Sequence, residues 1–149
     1  MIKTIQKKEI KKYRNRISGP IYDRIDLCVE ASEMTYQELQ AKQKGESSAD
    51  IRERVKRARH IQQERYAMEK VHCNGELSAK MVEKYCVIGS KEQELIQQIF
   101  TKMHFSARSY HRLLKVARTI ADLAESEEIK ANHIAEAIQF RSLDRKYFS

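Results

Sequence analysis

Arg24 is the side chain of this sequence best placed for chemistry. It lies between Asp23 and Asp26 in ISGPIYDRIDL (17–27), just after Gly19 and the sole proline, Pro20, with a basic segment, Lys7 to Arg16, directly ahead. A guanidinium carries five donors in a planar fork and binds phosphate oxygens in pairs. Presented at a subunit boundary, it can stabilise charge developing on a transferring phosphoryl group. Taken on the local pattern alone, an arginine so placed more often braces its own turn by pairing with Asp23 or Asp26.

Arg108 and Arg112 are one turn apart in SARSYHRLLK, with His111 and Lys115 on the same side. If a helix starts at Ser106, they sit beside its positive end, where a phosphate is favoured. A solvated basic face opposite an apolar stripe is the commoner reason for such spacing. IRERVKRARH (51–60) holds five basic residues against one acid. Arg52, Lys56 and Arg59 are its candidates for tracking a nucleic-acid backbone. No aromatic residue is interleaved, so base stacking is not indicated.

Other chemistries find no support. No GxxxxGK motif followed by Ser or Thr exists, so there is no phosphate cradle of that type. His60, His72, His104, His111 and His133 are scattered, and no nucleophile–base set stands out. Cys28, Cys73 and Cys86 lack CxxC spacing and read as reduced, mostly buried thiols. No metal site is expected, and the polypeptide by itself is not expected to be an enzyme.

The elements that must position these groups are mostly helices. Four glycines and one proline in 149 residues leave few enforced stops. Residues 1–16 suggest a short basic helix, and IDLCVEA within 21–31 alternates as a strand would. Thr35 to Glu38 has the capping-box pattern of a brief helix through Leu39. AKQKGESS (41–48) reads as a polar linker. Ser47 or Ser48 then caps a helix to about Met68 with Ile51, Val55 and Ala58 on one stripe. Ser78 caps a short helix through Tyr85, and Ser90 with Gln93 caps another to about Met103. Ser106 opens the most regular one, with Leu113, Leu114, Ala117 and Ala121 at core-facing spacing. Ile129 suits a short extended link before a last helix over 131–140. A net charge of +8 raises the odds of a polyanionic partner. No apolar run approaches the roughly 18 residues a membrane span needs, so the expected location is cytoplasmic.

Four segments carry a family resemblance: YRNRISGPIYDRIDL (13–27), GESSADIRERVKRAR (45–59), ELSAKMVEKYC (76–86) and the stretch from Phe105 to Arg141. In this order they resemble the C-terminal portion of the magnesium-chelatase-like AAA+ ATPases, of the competence-associated type linked to DNA branch migration. The resemblance implies a mainly α fold. A helical AAA+ lid bundle (46–149) would follow a short remnant of an α/β ATPase core (1–45). It implies a fragment that starts after the Walker A and Walker B segments of a hexameric ring ATPase, a DNA-processing motor. Arg24 would be the arginine finger, acting in trans. Arg108 would be the sensor 2 arginine, with Arg112 beside it at the nucleotide. ATP and Mg2+ would belong to the full-length protein, the fragment alone binding neither. Cys28 replaces a usual His, and Tyr22 a usual Leu. The rival expectation is a stand-alone basic helical module that binds DNA or another partner and has no ATPase role.

Overall fold

The structure is a computed structural model and describes residues 24–29, 31, 33–40, 45–103 and 106–140. The basic helix expected over 1–16 lies outside the described residues. Among the described residues six helices follow one another: α1 (Tyr36–Gln40), α2 (Ser48–Arg65), α3 (Ala79–Tyr85), α4 (Ser90–Met103), α5 (Ala107–Leu123) and α6 (Ala131–Gln139), with a 3-10 turn at Asn74–Glu76 between α2 and α3.

Their starts follow side-chain chemistry. Ser47 accepts from the Asp50 N–H and caps α2, Ser78 accepts from the Met81 N–H at α3, and Ser106 accepts from the Ser109 N–H at α5. Each bond satisfies a donor the first helical turn leaves unpaired. The expected Ser90 cap lies one residue late: α4 already includes Ser90, and the Gln93 N–H donates to the Gly89 carbonyl. At α6 the imidazole of His133 does the capping, its Nδ1 accepting from the Lys130 N–H at 3.1 Å. The end of α5 is closed by paired bonds, Glu125 N–H to Asp122 carbonyl and Ser126 N–H to Ala121 carbonyl. Glu125 takes the left-handed conformation (φ 52) that this closure needs, a position where glycine is usual.

The core gathers on α5. Leu113, Ala117 and Ala121 are fully buried there and meet Ile134 and Ala137 of α6 and Val82 of α3. Burying a side chain such as Leu113 stabilises by about 1.5–3 kcal/mol. The link before α6 is a single parallel bridge between Ile88 and Ile129, as the sequence leads one to expect at Ile129.

Two expectations fail. Residues 24–29 form a turn, a bend and irregular chain, and no strand occurs among the described residues. Leu27 and Val29 are exposed, and the Cys28 N–H is taken by the Phe140 carbonyl at 2.9 Å. A lone strand has no ladder to join, so alternation by itself could not make one. On α2, Ile51 and Val55 are 41% and 45% exposed, and only Ala58 and Gln62 are buried. The reason is reach: Arg57 meets Glu125 just past the end of α5, and Arg65 meets Asp122 inside it. The first turns of α2 therefore extend beyond the helix that buries the rest. No helix among the described residues is long and apolar enough to cross a membrane.

Candidate functional site

The turn holding Arg24 is docked on the helical body. Arg24 itself is exposed. Asp26, two residues on, places Oδ1 3.3 Å from Nη1 of Arg112 on α5. Arg112 is only 19% exposed, and this Nη1 is buried with no hydrogen bond of good geometry. Charge rather than a directed bond therefore holds the pair. The Cys28–Phe140 backbone bond adds a second tie, to the end of α6. Asp26 is thus turned toward Arg112, which is not the bracing role the local pattern suggests. Asp23 lies outside the described residues.

Arg108 is exposed in the first turn of α5. The two basic groups expected to extend its side differ from it. Lys115 donates to the Gly75 carbonyl at 3.1 Å, and His111 is half-buried with its ring 5.7 Å from that of Tyr110. Arg112 faces Asp26 and is not open to a ligand in the way Arg108 is. Of the three arginines read as phosphate ligands, Arg24 and Arg108 are exposed and Arg112 is largely buried.

On α2, Arg52, Lys56 and Arg59 are all exposed. Lys56 pairs with Glu53 at 2.7 Å, Arg54 forks onto Glu46 at 2.6 and 3.0 Å, and Arg57 meets Glu125 at 2.7 Å. Among the described residues, Arg52 and Arg59 have no ion pair. The basic run is therefore partly neutralised by its neighbours, the usual fate of an amphipathic helix face.

The most developed polar structure is buried, and the motifs above do not reveal it. Asp122 is wholly inside and accepts from Arg65, from Nε of Arg118 at 3.0 Å, and from the Asn74 amide at 2.8 Å. Asn74 also accepts from the Tyr66 hydroxyl at 2.6 Å and donates to Thr119 at 3.0 Å. Arg118 reaches on to the carbonyls of Ser126 and Glu127. Burial pushes the Tyr66 hydroxyl and the Cys86 thiol up, the latter to about 11. Burial, then the charges of Arg118 and Lys130, pulls His133 down. A readable signal existed: Arg118 and Asp122, four apart, fall inside the stripe of Ala117 and Ala121, where a charge must be paired to be tolerated. This network braces α2, the 3-10 turn and α5 through bonds made within the fold.

A cleft of about 550 Å³ between α4 and α5 is lined by Ile96, Phe100, Ala107 and Tyr110 among others, and its apolar walls offer no catalytic set. Among the described residues no cluster of three or more His, Cys, Asp or Glu could hold a metal.

Residues 45–141 match the family described as magnesium chelatase, subunit ChlI C-terminal, and residues 2–39 match the one described as magnesium chelatase, subunit ChlI. The chain is 39% identical over 138 residues to competence protein ComM of Haemophilus influenzae, covering 92% of this chain and 26% of that protein. It is 38% identical over 135 residues to the uncharacterized protein YifB of Salmonella typhimurium, with 90% and 26% covered. To the uncharacterized protein Rv2897c of Mycobacterium tuberculosis it is 28% identical over 131 residues, with 88% and 26% covered. The chain thus spans about a quarter of the length of these curated relatives.

Proposed function

The chain belongs to the magnesium chelatase subunit ChlI C-terminal family, within the magnesium-chelatase-like AAA+ proteins, and from this premise we propose that it supplies two arginines to the ATP sites of a ring-shaped motor. Residues 46–149 are the helical lid, and residues 1–45 are the tail of the α/β core that precedes it. Arg108 addresses the terminal phosphate of ATP held by its own protomer. Arg24 reaches the ATP of the neighbouring protomer and stabilises charge that develops as the phosphoryl group leaves. The observation that carries this reading is a contrast in exposure. Arg24 and Arg108 are exposed, while Arg65 and Arg118 are turned to the buried Asp122 and the largely buried Arg112 to Asp26.

In such a ring the bound nucleotide would supply the chemistry, and its Mg2+ would be held by residues outside this chain. The residues here bind and orient. Arg108, at the N-terminal turn of α5, ties phosphate occupancy to the position of the lid. Arg24 adds fixed positive charge from across the interface, where little reorganisation is needed at the moment of transfer. DNA is the polymer we assign to the motor, with exposed Arg52 and Arg59 on α2 as its contacts. Six subunits and a cytoplasmic location complete the proposal.

Complementation between variants tests it. In the full-length polypeptide, Arg24→Ala and Arg108→Ala rings should each lose hydrolysis. Mixed one to one, roughly a quarter of the head-to-tail interfaces should pair an intact finger with an intact sensor and recover activity. No recovery on mixing, or normal turnover by either variant alone, refutes the assignment.

A further inference from the structure

We infer that Asp26 and Arg112 form a latch that makes the Arg24 turn and helix α5 move as one body, Asp26 acting as a positioning residue for Arg24. The nucleotide state met by Arg108 in one protomer then sets the reach of Arg24 toward the next protomer's nucleotide. This rests on the roles proposed above for Arg24 and Arg108.

Arg112 is one turn below Arg108 on the same helix face, about 6 Å along the axis. Its Nη1 is buried and 3.3 Å from Asp26 Oδ1. Asp26 is two residues from Arg24 in the same turn. A short path therefore runs from Arg108 through one helical turn and one ion pair to Arg24. The Cys28–Phe140 backbone bond supplies a second anchor on α6, which packs along α5 through the fully buried Ile134. With two anchors the turn cannot swivel freely about either, so a displacement of α5 carries the turn with it.

The pair also suits transmission better than stability. Asp26 is 62% exposed, so water and salt compete for it and its contribution to folding is small. The local alternative, Asp26 bracing Arg24, would have neutralised the guanidinium that must face the phosphate. Pairing Asp26 with Arg112 keeps Asp26 off the exposed Arg24 while tying down its base.

Charge reversal and its repair test the latch in the full-length polypeptide. Asp26→Arg and Arg112→Asp should each lower kcat for ATP about tenfold with KM within about twofold, the loss expected when a charge-stabilising group is displaced but substrate binding is kept. The double swap, Asp26→Arg with Arg112→Asp, should recover at least half of the wild-type kcat. In the 149-residue chain, each single variant should speed amide exchange at Cys28 about tenfold, and the swap should restore protection. Wild-type kcat in the singles, a swap no better than the singles, or unchanged Cys28 exchange overturns the latch. So does failure of both singles to fold, because a pair on which folding depends is a structural element. Arg24→Ala and Arg108→Ala are assayed alongside. If they hydrolyse ATP normally, the underlying roles fail. If they are inactive while the latch variants are normal, only the latch fails.

Discussion

Arg65 at the end of α2 donates from Nη1 to Asp122 Oδ2 at 2.9 Å, joining residues 57 positions apart around a carboxylate with no solvent exposure. Arg118 approaches the same carboxylate from one turn away on α5. Two guanidinium groups thus share one buried anion. The surplus positive charge is tolerated because Arg118 also donates to the carbonyls of Ser126 and Glu127, and Arg65 to Asn74.

Removing that anion should be costly. Asp122→Ala leaves both arginines without their carboxylate in a low-dielectric site, a loss of about 3–5 kcal/mol. Urea unfolding of the 149-residue chain measures it, with Asp122→Asn as the neutral isostere. A change below about 1 kcal/mol would contradict the pairing described.

His133 makes stability depend on acid. Its folded pKa is pulled below the ordinary 6.5, by burial first and then by the Arg118 and Lys130 charges. Below 6.5 the unfolded chain binds a proton that the folded chain refuses. The stabilisation is therefore fully present above 6.5 and is lost as pH falls from there through the depressed folded pKa. Protonation at Nδ1 also removes the acceptor that caps α6. His133→Gln should flatten the acid limb of a plot of stability against pH, and an unaltered limb would count against this role.

The three free cysteines should separate by reactivity. Cys86 is 3% exposed and its pKa is pushed up to about 11, whereas Cys28 and Cys73 are only partly buried. At pH 8 a thiol reagent should label Cys86 on the order of 100-fold more slowly than Cys73, at a rate set by opening of the core. Equal rates for the two would mean that the core around Val82 and Cys86 is loosely packed.

Salt dependence tests the proposed DNA contacts. If Arg52 and Arg59 neutralise phosphates, changing either to alanine should reduce the slope of log affinity against log salt by about 0.9. Lys56→Ala should change it less, because Lys56 is already paired with Glu53. Slopes unchanged from wild type in all three variants would remove α2 from the DNA surface.

What this sequence determined by itself is local. Helix starts at Ser47, Ser78 and Ser106, and the stripe from Leu113 to Ala121, are written in contacts three or four residues apart, so they are readable without knowing the fold. The motif around Arg24 and the segment around Arg108 likewise announced the family without coordinates. Tertiary structure alone decided which charges meet. Asp26 beside Arg24 suggested a local brace and faces Arg112 instead, and Arg65, Asn74 and Asp122 converge from three separate elements. It also decided that Ile51 and Val55, correctly spaced for burial, lie beyond the reach of α5. The physical reason is common to all three. Hydrogen bonding and periodicity act along the chain over one or two turns, whereas burial and the pairing of buried charge depend on which distant surface arrives opposite.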